Sequence, residues 1–108
     1  FPYPGVTTSF ESIWMGVPVL TKKGTNFVSR CGESINLNLG FKNLIAESEE
    51  DYISKAVSLN LDRANLSKMR LTMRQLAMKS PLFDTHSFGE DFSNLIKNVW
   101  KKYLNKKI

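Results

Sequence analysis

Gly5, Thr7, Thr8 and Glu11 fall within seven residues of one another. A glycine turn that feeds a helix leaves backbone amides unpaired at the positive end of the helix dipole, which is a physical recipe for holding a phosphate. Thr7 and Thr8 would add two neutral hydroxyl donors. The same spacing also serves a purely structural end. Thr8 followed three residues later by Glu11 has the form of a capping box, in which each side chain satisfies a backbone amide at the other's position. Most such boxes bind nothing, so spacing alone puts the structural role ahead of an anion site.

The elements that must position these residues are turn, helix, turn and strand. Phe10, Ile13 and Trp14 share one face at i, i+3 and i+4. Gly16 stands where a helix-ending glycine belongs, and Pro18 cannot continue the helix. Val17, Val19 and Leu20 then read as a short buried strand over 17–21. Upstream, Phe1 to Gly5 reads as the end of another strand, from which Pro2 and Pro4 turn the chain away.

The string from Pro4 through Gly5-Val6-Thr7-Thr8-Ser9-Phe10-Glu11-Ser12-Ile13-Trp14-Met15-Gly16 to Val19 resembles the nucleotide-sugar segment of the O-linked N-acetylglucosamine transferases, the SPINDLY-like family. Gly24 with Ser29-Arg30, Leu44-Ile45-Ala46, and Ser80-Pro81-Leu82-Phe83-Asp84 agree in order, so the resemblance runs from Phe1 to about Tyr103. It implies an α/β fold: part of the C-terminal, nucleotide-sugar-binding half of a GT-B glycosyltransferase with two Rossmann-like halves. It also implies transfer of N-acetylglucosamine or a related sugar from a UDP-sugar to a protein serine or threonine, with inversion and without metal or cofactor. By position, Gly5, Thr7 and Thr8 would meet the donor diphosphate and Glu11 the ribose. Val6 stands where several relatives have histidine, and Glu11 where some have aspartate. The family's phosphate-binding lysine and uridine-holding residues lie upstream, so no catalytic residue is expected here.

The rest of the chain alternates similarly and then turns helical. Lys22-Lys23-Gly24 reads as a solvated loop, with a lysine pair near a phosphate as the second possibility. Thr25 or Asn26 would cap a helix that points Phe27, Val28, Cys31 and Ile35 inward and stops before Gly40. Leu44-Ile45-Ala46 suits a last parallel strand. Ser48 would cap a helix opened by Glu49, Glu50 and Asp51, with Tyr52, Ile53, Ala56 and Val57 buried. A helix from Asp62 to Lys79 carries the stripe Leu66, Met69, Met73 and Leu76, and Ser80-Pro81 breaks it. The last helix, Thr85 to Lys106, gathers Phe88, Phe92, Leu95, Ile96, Val99, Trp100, Tyr103 and Leu104 on one broad face. Residues 1–46 thus form the α/β part with the donor loop, and residues 47–108 a helical tail.

Composition bounds these expectations. A chain of 108 residues, 42% hydrophobic and 23% charged, makes one modest domain, and starting at Phe1 it reads as a piece of a longer protein. The single Cys31 fits a reducing, cytoplasmic setting and reads as a small core residue; His86 has no second histidine or cysteine beside it. No apolar run approaches membrane-spanning length. The net charge of +5 is uneven, with −1 over residues 1–60 and +6 over residues 61–108. A basic helical module for nucleic acid or acidic proteins is therefore the alternative, ranked lower because its aromatics share the buried side. The family's final helix commonly crosses back to the N-terminal half, so the expected partners are that half, a UDP-sugar and a protein acceptor. The chain alone is expected to self-associate, through this helix or through the sheet edge near Phe1 to Tyr3.

Overall fold

The computed structural model describes residues 3–106. Its elements are α1 (Thr7–Trp14), β1 (Thr21–Lys22), α2 (Cys31–Leu39), β2 (Ile45–Ala46), α3 (Glu49–Leu61), α4 (Arg63–Lys79) and α5 (Thr85–Lys106). The strands are parallel, with Thr21 opposite Ile45 and Lys22 opposite Ala46.

The expected strand over Val17 to Thr21 is shorter and shifted. Strand pairing reaches only residues 21 and 22, and just before it the side chain of Asn36 takes over. Its amide Nδ2 donates to the Val19 carbonyl at 2.8 Å and to the Leu44 carbonyl at 3.2 Å, tying the two chain segments together. Leu44 itself closes a 3-10 turn, Lys42–Leu44. Tyr3 to Gly5 are not a strand, and Phe1 and Pro2 lie outside the described residues.

Glycine ends the first two helices. Gly16 has φ 73°; its amide donates to Ile13 at 3.0 Å, and that of Val17 to Ser12 at 2.8 Å, the paired bonds of a Schellman ending. Gly40, φ 82°, repeats the pattern with Leu37 and with Phe41 to Asn36. Gly16 meets a second demand, because a Cβ there would stand 2.8 Å from the Arg70 carbonyl oxygen. The end of α1 thus lies directly on the α4 backbone.

One core cluster joins Ile13, Ile35, Leu39, Leu44, Met69, Met73 and Ala77, with Phe10, Val19, Phe41, Leu59, Leu82 and Phe83 packed around it. On α4 the buried row is Met69, Met73 and Ala77 at strict four-residue spacing, the ridge that packs into a neighbouring helix. Leu66 is therefore only half-buried and Leu76 exposed.

Three inward faces differ from expectation. Phe27 is 85% exposed. Asn26 and Ser29 bond reciprocally (Ser29 amide to Asn26 Oδ1 2.9 Å, Asn26 amide to Ser29 Oγ 3.2 Å) and start a 3-10 turn over Val28–Arg30. The tighter repeat of that turn takes Phe27 out of register with α2. Cys31 is half-buried and not core; its Sγ donates to the Phe27 carbonyl at 3.4 Å. On α3, Tyr52, Ile53, Ala56 and Val57 are exposed and the inward row is Asp51, Lys55 and Leu59. Lys55 Nζ fixes it by donating to the Ile45 carbonyl and to Asp51 Oδ2, both at 2.7 Å.

Helix α5 leaves the body. Its eight apolar and aromatic residues are all exposed, and its main contact is with the 3-10 turn Pro81–Phe83. The molecule is accordingly 62 Å long with a radius of gyration of 17.4 Å, against about 13 Å for a compact chain of this size.

Gly16→Ala is expected to cost more stability than Gly40→Ala in urea unfolding. Both changes force alanine into the left-handed region, roughly 1–2 kcal/mol, but nothing lies within 4 Å of a Cβ at Gly40. Equal losses would show that the contact of α1 with α4 adds nothing. A second expectation concerns acid. The Lys55 hydrogen bond, followed by the Glu47 amide, holds the Asp51 carboxyl below its ordinary 3.8. A lowered carboxyl stabilises the fold above its unfolded-state pKa and loses that effect as pH falls through the folded value. Amide protection factors at 47–52, which are corrected for intrinsic exchange, should therefore fall below about pH 4, and Asp51→Asn should remove that fall; an unchanged profile of protection in the variant would contradict it.

Candidate functional site

The start of α1 is built without side-chain help. Val6 precedes the first helical residue and no side chain caps the helix. Thr8 lies inside the first turn instead of before it, so the expected capping box with Glu11 does not form. The turn is held instead by Ser9, whose Oγ donates to the Gly5 carbonyl at 2.8 Å, and by the Phe10 amide on the Val6 carbonyl at 3.1 Å. Gly5 is packed against this turn: a Cβ there would overlap Thr8 Oγ1 and stand 3.3 Å from Ser9 Oγ. Ser9 is buried, whereas Gly5, Thr7, Thr8 and Glu11 are exposed. Glu11, at i+4 from Thr7 and i+3 from Thr8, shares their side of the helix.

The other helix starts are occupied by the protein's own groups. At α3 the Ser48 Oγ accepts from the Asp51 amide at 3.1 Å, Asp51 accepts from the Glu47 amide at 2.9 Å, and three acidic residues fill the first turn. Asp62 accepts from the Asn65 amide at 3.1 Å at the start of α4. Asp84 accepts from the Ser87 amide at 3.0 Å at the start of α5, and this bond holds its carboxyl below the ordinary range. Helix α2 has Glu33 in its first turn. Only α1, among the described α-helices, has neither a capping side chain nor an acidic residue in its first turn.

The lysines at the end of β1 are engaged. Lys22 pairs with Glu49 at 3.3 Å and Lys23 with Glu47. The Glu47 hydrogen bond raises the Lys23 ammonium above its usual value. Both pairs clip the end of β1 to the entry of α3, which gives these lysines a structural role where solvation was expected.

Two clefts reach this turn at Val6 and Gly5, and Thr7, Thr8 and Glu11 line neither of them. Val6 faces one of about 600 Å³, with Phe10, Phe27, Cys31 and Leu82 on its walls. Gly5 faces another of about 410 Å³, with Ser9, Thr21, Gly32 and Tyr52. Gly32 lets α2 ride on β1, since its Cβ would stand 2.9 Å from that of Thr21. Among the described residues no cluster of His, Cys, Asp or Glu could hold a metal, and His86 lies 4.0 Å from Glu90 on exposed α5.

Sequence reasoning missed three supports of this site. Ser9, one more hydroxyl in the string, is buried and closes the turn. Asn36 sits between Ile35 and Leu39 on the inward side of α2, and a polar residue among buried apolar ones was the available signal. Trp14 stacks on Phe83 at 5.5 Å and lies under the Arg74 guanidinium at 4.3 Å, contacts that link α1 to α4 and to the turn that follows it.

The Glycosyl transferase family 41 model matches residues 3–92. The chain is 37% identical over 105 residues to a tomato (Solanum lycopersicum) protein named "Probable UDP-N-acetylglucosamine–peptide N-acetylglucosaminyltransferase SPINDLY", covering 97% of this chain and 11% of that protein. It is 41% identical over 103 residues to the protein of the same name from Eustoma exaltatum subsp. russellianum, covering 95% and 11%. A UDP-N-acetylglucosamine–peptide N-acetylglucosaminyltransferase of Caenorhabditis elegans is 32% identical over 99 residues, covering 92% and 9%. The chain therefore spans about a tenth of the length of these relatives. Its structure superposes on a mutant of the Thermobaculum terrenum O-GlcNAc transferase with TM-score 0.90 and 28% identity, over 100% of this chain and 21% of that one. With the match to residues 3–92 and a shared structure over its whole length, the chain belongs to glycosyl transferase family 41.

Proposed function

We propose that this chain is the donor-binding part of a GT-B glycosyltransferase that moves N-acetylglucosamine, or a related sugar, from a UDP-sugar to a protein serine or threonine. The observation that carries the reading is the open N-terminus of α1, which alone among the described α-helices lacks both a cap and a first-turn acid. A diphosphate carries the charge that such a terminus favours.

In this reading Gly5 lets the backbone come close to the phosphates, Thr7 and Thr8 donate from their hydroxyls, and Glu11 accepts from the ribose. The leaving diphosphate is met by fixed donors and the helix dipole, which would carry its charge in a reaction without a metal. Residues 1–46 serve as the α/β part with the donor loop and residues 47–108 as a helical tail. Catalysis requires donor and acceptor held together by the rest of the parent protein, so this chain alone does not turn over donor.

Calorimetric titration with UDP is expected to show weak binding that Thr7→Ala/Thr8→Ala abolishes. Each hydrogen bond to a charged group contributes about 1.5–3 kcal/mol. Equal affinity in the double variant would contradict the assignment.

A further inference from the structure

We propose that the seam between the end of α1 and the first half of α4 is a docking groove for an acidic peptide segment of a partner protein. Helix α4 holds Arg63, Lys68, Arg70, Arg74 and Lys79, and no acidic residue occurs from position 63 through position 83. Arg63, Arg70 and Arg74 recur at steps of seven and four, so they share one side of the helix. That side follows the seam. Arg74 covers Trp14, and Arg63 and Arg70 line a cleft of about 450 Å³ with Met15, Leu66 and Leu71. Among the described residues neither Arg63 nor Arg70 forms an ion pair. The end of α1 does not occupy them either, because the Glu11, Ser12 and Ile13 carbonyls already accept the Met15, Val17 and Gly16 amides.

The groove lies at the end of the molecule away from the proposed donor turn, and neither reading depends on the other. Helices α1 and α4 run antiparallel: Phe10 meets Phe83, Trp14 lies under Arg74, and Gly16 rests on the Arg70 backbone. Thr7 and Thr8 are therefore level with the end of α4, and Arg63 lies past the opposite end of α1. The half of the parent expected to close over a nucleotide sugar meets the Thr7–Thr8 end, so its absence does not bare this groove.

Spacing and polarity define the occupant. Arg63 and Arg70 stand about 10 Å apart along the helix axis. In a polyproline-type segment, side chains three residues apart lie on one side about 9 Å from each other, so two aspartates at that spacing meet both guanidinium groups at once. Each pair can form two parallel hydrogen bonds. Apolar residues between the aspartates reach the walls, where Met15 is 72% and Leu71 80% exposed. Those walls favour a peptide over a nucleic acid, whose phosphates require only the charge.

Titration of the isotope-labelled 108-residue chain with a synthetic peptide repeating aspartate, leucine and proline tests this. Saturable shifts are expected at Met15, Gly16, Arg63 and Arg70, and none at Thr7 or Thr8. Arg63→Gln and Arg70→Gln should each weaken binding about fivefold, Leu71→Ser should weaken it by a similar factor, and asparagine in place of the peptide's aspartates should abolish it. The variant Arg63→Glu/Arg70→Glu should instead bind the peptide in which lysine replaces aspartate, a gain that an unfolded chain does not give. Absence of binding, or equal affinity in the two glutamine variants, overturns the proposal. So does a single-stranded oligonucleotide that competes at the same residues and is indifferent to Leu71→Ser, since the groove then reads charge alone. A longer protein containing this segment that fails to bind the peptide also overturns it, because its own remainder then fills the groove.

Discussion

Two strands of two residues each cannot hold this chain together, and the burden falls on the packing of α4 against α1 and α3. Ile13, Leu44 and Met73 are fully excluded from water in one cluster, and fully burying a side chain of this kind contributes about 1.5–3 kcal/mol. Gly16 allows the contact by bringing the end of α1 onto the α4 backbone. The contacts of Trp14 with Phe83 and Arg74 fasten the same junction. The direction in which α1 points its first amides is therefore set at its other end, by residues of the helical tail. A phosphate bound at Thr7 and Thr8 would depend on Met73 without touching it.

The electrostatics separate two kinds of helix start. At α3 and α5 a carboxylate accepts a backbone amide; the Lys55 hydrogen bond and then the Glu47 amide lower the pKa of Asp51, and the Ser87 amide lowers that of Asp84, so the positive end of the dipole is satisfied internally. At α1 the turn is closed by a neutral hydroxyl, Ser9 on Gly5, and the outer surface is left to Thr7 and Thr8. The lysines nearest in sequence are held by Glu47 and Glu49. Any anion at this turn is therefore met chiefly by backbone amides and hydroxyls.

Much of the fold was legible in the sequence where one residue type has one physical use. Gly16 and Gly40 end helices in the left-handed conformation, Ser48 caps α3, and Ser80-Pro81 separates α4 from α5. The parallel pairing of two strands was legible in the alternation of elements, but not their length, because pairing depends on neighbours that lie far off in sequence. Periodicity failed where a polar anchor or a tight turn decided which face points inward. Lys55 turned α3 by bonding to the Ile45 carbonyl, and the Asn26–Ser29 turn displaced Phe27. The residues proposed to bind the donor were named by family resemblance. The capping role that spacing had favoured for Thr8 and Glu11 belongs instead to Asn26 with Ser29 and to Ser48 with Asp51.

The central claim, that the open start of α1 receives the donor diphosphate, is tested most directly by amide chemical shifts in the labelled chain during titration with UDP. The Thr7, Thr8 and Ser9 amides are expected to move together and saturably, while the amides of Asp51, Asn65 and Ser87, already bonded to the protein's own oxygens, stay in place. Shifts confined to those three helix starts or to the lysines of α5, with 7–9 unmoved, would contradict the account.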